Sequence, residues 1–165
     1  MSFRIAQVTP WPWEQHHEVN GFVERLSDEL CARGHRVVVV APSDSRELIR
    51  EGRAKVRALK NDPEALWAEP GCASMLAVGQ SLPFRRGGSV SLPLDVSRTI
   101  AEFLERAELD FLHVHEPFAP SAASAALRHS RALNVGTFHS TTERFVSTQV
   151  ARRVVELLFG RLDGR

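Results

Sequence analysis

Three short stretches concentrate the side chains that could do chemistry. They are residues 11–21, "WPWEQHHEVNG"; His115-Glu116-Pro117; and His139-Ser140-Thr141-Thr142. Each contains histidine, whose charge changes near neutral pH without help from its surroundings. A histidine followed by three hydroxyl residues is a dense set of donors and acceptors, suited to sugar hydroxyls or a phosphate. Thr141 or Thr142 would serve equally well to cap a helix opening at Glu143, and a lone His139 could be a core histidine satisfied by backbone. His113 and His115 alternate on one strand face and suggest a metal pair. A metal centre needs several converging ligands and the sequence fixes only this pair, so no metal is expected.

These stretches fall at equivalent places in a repeating pattern. "FRIAQVT" (3–9) reads as a strand, followed by a Pro/Trp-rich turn and by Phe22, Val23, Leu26 and Leu30 at helical spacing, up to a stop at Gly34. "RVVVVAP" (36–42) is a β-branched run of the kind buried on both faces of a parallel sheet. Further strands are expected at 74–79, 110–115 and 134–140, and helices at 95–107 with Asp95 as N-cap, at 119–132 and at 143–160. Residues 61–94 are rich in Pro and Gly and predict an irregular excursion with short strands at most. The alternation predicts an α/β, Rossmann-like doubly wound parallel sheet, with ligands beyond the carboxyl ends of its strands. All three histidine stretches lie at that rim.

Composition narrows the partners. The chain has 165 residues, enough for one domain, and 21 Lys plus Arg against 20 Asp plus Glu. So balanced a charge gives no electrostatic footprint for nucleic acid. The cysteines, Cys31 and Cys72 alone, have no CxxC spacing and fit a reducing compartment. No signal peptide is legible, and no apolar run reaches the roughly 18 residues of a membrane span. A cytoplasmic setting is expected. A dinucleotide oxidoreductase is disfavoured, because no GxGxxG opens the first helix and no acidic residue ends the second strand.

"FRIAQVTP", "RGHRVVVVAP", "LHVHEPFAPS" and "GTFHSTTERF", in this order, resemble the N-terminal domain of retaining GT-B glycosyltransferases of group 1 (family 4), and within them the phosphatidylinositol α-mannosyltransferases. The resemblance implies an enzyme that takes a hexose such as mannose from a GDP- or UDP-activated sugar to a lipid or small polyol acceptor. It implies His139 as the catalytic strand-end histidine beside the donor sugar, orienting it and helping to stabilise positive charge. It further implies a donor phosphate or sugar set of His16, His17, Glu18, Asn20, Gly21, Ser140 and Thr141, and an acceptor side of Trp13, His115 and Glu116. The nucleotide sugar is a substrate and no cofactor is implied for this domain.

Two departures stand out. The family turn carries Gly-Gly about sixteen residues before the helix-stop glycine, letting backbone N–H groups approach the diphosphate. Here those places are His17 and Glu18, with Gly21 already inside the helix. A non-catalytic Rossmann-like binding or regulatory module is therefore the alternative reading. The chain also stops at "GRLDGR", where the family's next strand would begin, so residues 1–165 are expected to be one N-terminal domain, inactive without a C-terminal nucleotide-sugar-binding domain. Residues 44–62 put Arg46, Arg50, Arg53, Arg57 and Lys60 on one helical stripe and Leu48, Val56 and Leu59 on another, a pattern for peripheral contact with an anionic membrane at its inner face. With six positive against four negative charges in the segment, a solvated helix with i,i+4 pairs explains it as well.

Overall fold

The four consecutive valines at 37–40 are buried, and the strand that carries them lies deep in a parallel sheet. A computed structural model describes residues 1–84, 88–91, 93–117, 122–139, 156–157 and 160–165. The chain runs β1 (Arg4–Val8), α1 (Glu18–Ala32), β2 (Arg36–Ser43), α2 (Arg46–Ala58), β3 (Ser74–Phe84), β4 (Gly88–Ser91), α3 (Pro93–Arg106), β5 (Phe111–His115), α4 (Ala122–His129) and β6 (Leu133–Thr137). The sheet order is β4-β3-β2-β1-β5-β6. All pairings are parallel except β3 with β4. Strand order therefore reverses between β1 and β5, which places the turns after these two strands side by side.

Side-chain alternation divides the core into two layers. Ala6, Val8, Val38 and Val40 face Val56 of α2, Ile100 and Phe103 of α3, and Ala122 to Leu127 of α4. Ile5, Val37 and Val39 face the other way, onto Val19, Val23 and Cys31 of α1. This is the doubly wound, Rossmann-like arrangement that the pattern predicts.

Several local expectations change. The excursion at 61–94 is not merely irregular: β3 runs eleven residues and its end pairs antiparallel with β4, Ser81 opposite Ser91 and Phe84 opposite Gly88. A strand that outgrows its parallel neighbour satisfies its backbone by folding back on itself. Helix α3 opens at Pro93, a residue suited to the first helical turn, so Asp95 lies inside the helix rather than capping it. Helix α4 ends at His129, three residues before the expected 132. The expected helix at 143–160 falls almost wholly outside the described residues.

Helix α2 forms where the cationic stripe is, but its apolar stripe is mostly committed to the core. Val56 and Leu59 are buried, and only Leu48 is exposed, at 40%. Lys55 pairs with Glu51 at 2.8 Å, one of the i,i+4 contacts of a solvated face. Gly52 has a packing reason: a Cβ there would lie 2.3 Å from the carbonyl oxygen of Ala77 in β3.

Candidate functional site

The turn after β1 is held from within. Asn20 is buried in the first turns of α1; its Oδ1 accepts from the Thr9 hydroxyl at 2.7 Å and its Nδ2 donates to the Pro12 carbonyl at 2.8 Å. The backbone N–H of Trp13 donates to the Pro42 carbonyl at 3.0 Å, tying the turn to the end of β2. Glu14 reinforces that tie by accepting from the Ser43 hydroxyl. The turn then meets α1 at His17, which is the N-cap. Its Nδ1 accepts from the backbone N–H of Val19 at 3.2 Å, and its ring stacks on Trp11 at 4.1 Å between centroids. An imidazole in the N-cap role does what Ser or Asp usually does. Burial lowers the His17 pKa, with Glu18 raising it, His139 lowering it and Glu116 raising it. A neutral ring with Nδ1 accepting carries its proton on Nε2.

Beside this turn stands a column of histidines from β5 and the end of β6. His115 is fully buried, and its Nδ1 lies 2.9 Å from His139 Nε2 while its Nε2 lies 2.9 Å from Oε1 of Gln7. Gln7 is itself buried in the middle of β1. His113 bonds through Nε2 to the Thr137 hydroxyl at 2.7 Å. The rings of His113 and His115 sit 4.3 Å apart, and those of His115 and His139 5.2 Å apart. Burial, with His139 adding to it, lowers the His113 pKa to about 4. Burial, then His113 and His139, lowers that of His115 to about 2, so both are neutral at physiological pH.

Glu116, directly after β5, adopts φ +52°, a left-handed conformation that costs a non-glycine residue energy. The bend lets its carboxylate accept the His139 backbone N–H at 2.7 Å while its own N–H donates to the Thr137 carbonyl at 2.9 Å. His139 is thus gripped at its backbone by Glu116 and at its ring by His115, yet remains exposed. Phe22 of α1 lies edge-on to both rings, 5.2 Å from His139 and 5.8 Å from His115.

The structure therefore brings His17, His115, Glu116 and His139 to one rim, with α1's N-terminus alongside. Glu18 and His16 are exposed at the helix opening, and with Trp13, His17 and Gly21 they line a cavity of about 440 Å³. Two expectations change. Asn20 turns inward and holds the turn, and its polar atoms are engaged there. His115, expected on the acceptor side, is sealed from solvent and supports His139. Ser140 and Thr141 lie outside the described residues. Sequence reasoning missed Gln7, Phe22 and Thr137; the legible signal for Gln7 was a polar residue in the middle of a strand otherwise made for the core. Among the described residues no group of three or more His, Cys, Asp or Glu is arranged to hold a metal, and no helix is long and apolar enough to cross a membrane.

The family model described as Glycosyltransferase Family 4 matches residues 19–163. The phosphatidyl-myo-inositol mannosyltransferase of Mycobacterium leprae is 26% identical, over 98% of this chain and 38% of its own length. Those of Mycobacterium tuberculosis H37Rv and Propionibacterium freudenreichii are each 24% identical, over 98% and 97% of this chain and 38% and 39% of their own lengths. The chain thus spans little more than a third of these curated relatives.

Proposed function

The chain belongs to glycosyltransferase family 4, and from that premise we propose that it is the N-terminal, acceptor-side domain of a retaining, two-domain GT-B enzyme. The enzyme moves a hexose, mannose being the leading candidate, from a nucleotide diphosphate sugar to a lipid or small polyol. A C-terminal domain of the same polypeptide would grip the nucleotide. The observation that carries this reading is His139, exposed at the sheet rim and fixed by His115 and Glu116.

The chemistry follows from that placement. Breaking the bond between the anomeric carbon and the diphosphate puts positive charge on the sugar and negative charge on the leaving group. A positioned imidazole lone pair supports the first, and the amino end of α1, with the outward Nε2–H of His17, supports the second. Both supports are set before the donor arrives, so little reorganisation is needed at the moment of reaction.

Peripheral contact with anionic lipid is part of the proposal. Arg46, Arg50 and Arg57 are exposed along α2 and Lys60 just beyond its end, and Arg53, Arg57 and Arg98 line, with Glu102, a groove of about 240 Å³ between α2 and α3. The absence of CxxC spacing around Cys31 and Cys72 supports a reducing compartment, and with it the inner membrane face as the side of such contact.

One observation favours the second reading, a non-catalytic binding module: the Val19 N–H, which the family's glycine pair would leave open, is already bonded to His17. The deciding experiment incubates the complete polypeptide with labelled GDP-mannose and UDP-hexoses and follows label into lipid and water-soluble fractions. Transfer from one donor supports the enzyme; donor binding without transfer to any acceptor fraction supports the module.

A further inference from the structure

The hydrogen bonds around His115 have a direction. The Gln7 oxygen can only accept, so the proton between it and His115 belongs to His115 Nε2. His115 is neutral by burial, so its Nδ1 carries a lone pair and can only accept. The group 2.9 Å from that lone pair is His139 Nε2, which must therefore donate. With Nε2 donating, the one-proton form of His139 has its lone pair on Nδ1, the ring nitrogen that takes no part in the column.

We infer that Gln7 is a positioning residue: through His115 its carboxamide fixes the tautomer of His139 and makes Nδ1 the nitrogen presented to a ligand at the rim. The residue lies on β1, buried and out of reach of any substrate. It acts through register. Gln7 pairs with His113 across β1 and β5, so Gln7, His113 and His115 share one sheet face and the carboxamide reaches the ring of His115. The other titratable groups around the column are His113 on β5, His17 at the α1 N-cap, Glu18 in its first turn and Glu116 after β5. None of them bonds to either nitrogen of His115 among the described contacts. What the free Nδ1 does to a donor sugar rests on the proposed function; the assignment of the nitrogen does not.

This gives a chemical class for the contact. A nitrogen with an open lone pair accepts a hydrogen bond from a sugar hydroxyl or faces a developing positive centre. With a fixed N–H in its place, it would instead repel that centre and donate to phosphate oxygen. The direction set at Gln7 thus selects between a sugar contact and a phosphate contact at His139.

The test needs no donor. Long-range proton–nitrogen correlation on the 15N-labelled chain, at about pH 8 and so above the ordinary imidazole range, reads each ring's tautomer. The inference predicts Nε2–H on both His115 and His139, with a coupling between nitrogens across the His139–His115 bond. An Nδ1–H pattern on His115 overturns it. In Gln7→Glu the buried carboxylate favours a doubly protonated His115, which then donates from Nδ1 and drives the proton of His139 to Nδ1. An unchanged His139 pattern in a folded Gln7→Glu also overturns it. Should that variant not fold, Gln7→Leu, which removes the acceptor, should leave His139 as a mixture of tautomers. In the complete enzyme, Gln7→Glu should lower kcat by at least about tenfold with donor KM changed less than about twofold. Absence of transfer in the unsubstituted enzyme would sink the proposed function and leave the spectral result standing.

Discussion

Val19 donates its backbone N–H to Nδ1 of His17 at 3.2 Å, so the first turn of α1 is closed by an imidazole where a phosphate turn would leave a donor open. The stack of His17 on Trp11 holds the ring in that position. The family's glycine pair lets backbone approach a diphosphate; here the side chain of the replacing residue occupies the nearest donor and offers its own Nε2–H instead. The turn is fixed against the sheet at both of its ends, by the Trp13 N–H on the Pro42 carbonyl and by the His17 cap on α1.

Removing that cap should cost stability. His17→Ala is expected to destabilise the fold by about 1 kcal/mol, the usual value of an N-cap side chain, and His17→Asn should restore most of it. Urea denaturation of the three proteins measures both. If His17→Ala is as stable as the parent, the imidazole is not a working cap.

Acid should unfold this domain through half-buried His113 and fully buried His115. The folded pKa of His113 lies near 4, below the ordinary 6.5, so folding favours the neutral ring. For a base with a lowered pKa, the stabilisation is complete above 6.5 and is lost as pH falls towards 4. At about 1.4 kcal/mol for each pH unit, His113 alone costs about 3 kcal/mol by pH 4. His115, near 2, continues the loss below that. Urea midpoints between pH 7.5 and 4 should fall accordingly, and His113→Gln should flatten the slope above pH 4; a midpoint independent of pH would contradict the burial.

Gly52→Ala should destabilise the protein although alanine is the better helix former by about 1 kcal/mol. The new Cβ would lie 2.3 Å from a backbone oxygen of β3, which cannot swing aside as a side chain can. Overpacking of this kind costs about 1 to 3 kcal/mol, so the net change should be a loss of about 1 kcal/mol. A raised melting temperature would show that α2 stands further from the sheet.

The order of strands and helices was legible because apolar runs and helical spacing report burial directly. "RVVVVAP" could scarcely be anything but an inner strand, and β2 is one. The end of β3 and β4 were hidden because their Pro/Gly-rich composition reads as loop, while their pairing depends on a partner strand that no local pattern announces. The histidine stretches were legible as a rim, since strand ends in such sheets converge. The role of His115 was not: alternation tells that it shares a face with His113, but not that α1 covers that face and seals it. Gln7 and Asn20 were misjudged or missed for the same reason. A polar side chain in a sequence does not say whether it faces ligand or neighbour.

The central claim is that His139 works at the donor sugar. Its most direct test is the initial rate of sugar transfer by the complete polypeptide, with and without His139→Ala. The expected result is a fall in kcat of about 100-fold, the scale of losing one positioned electrostatic group, with donor KM little changed. Equal rates for the two proteins would contradict it.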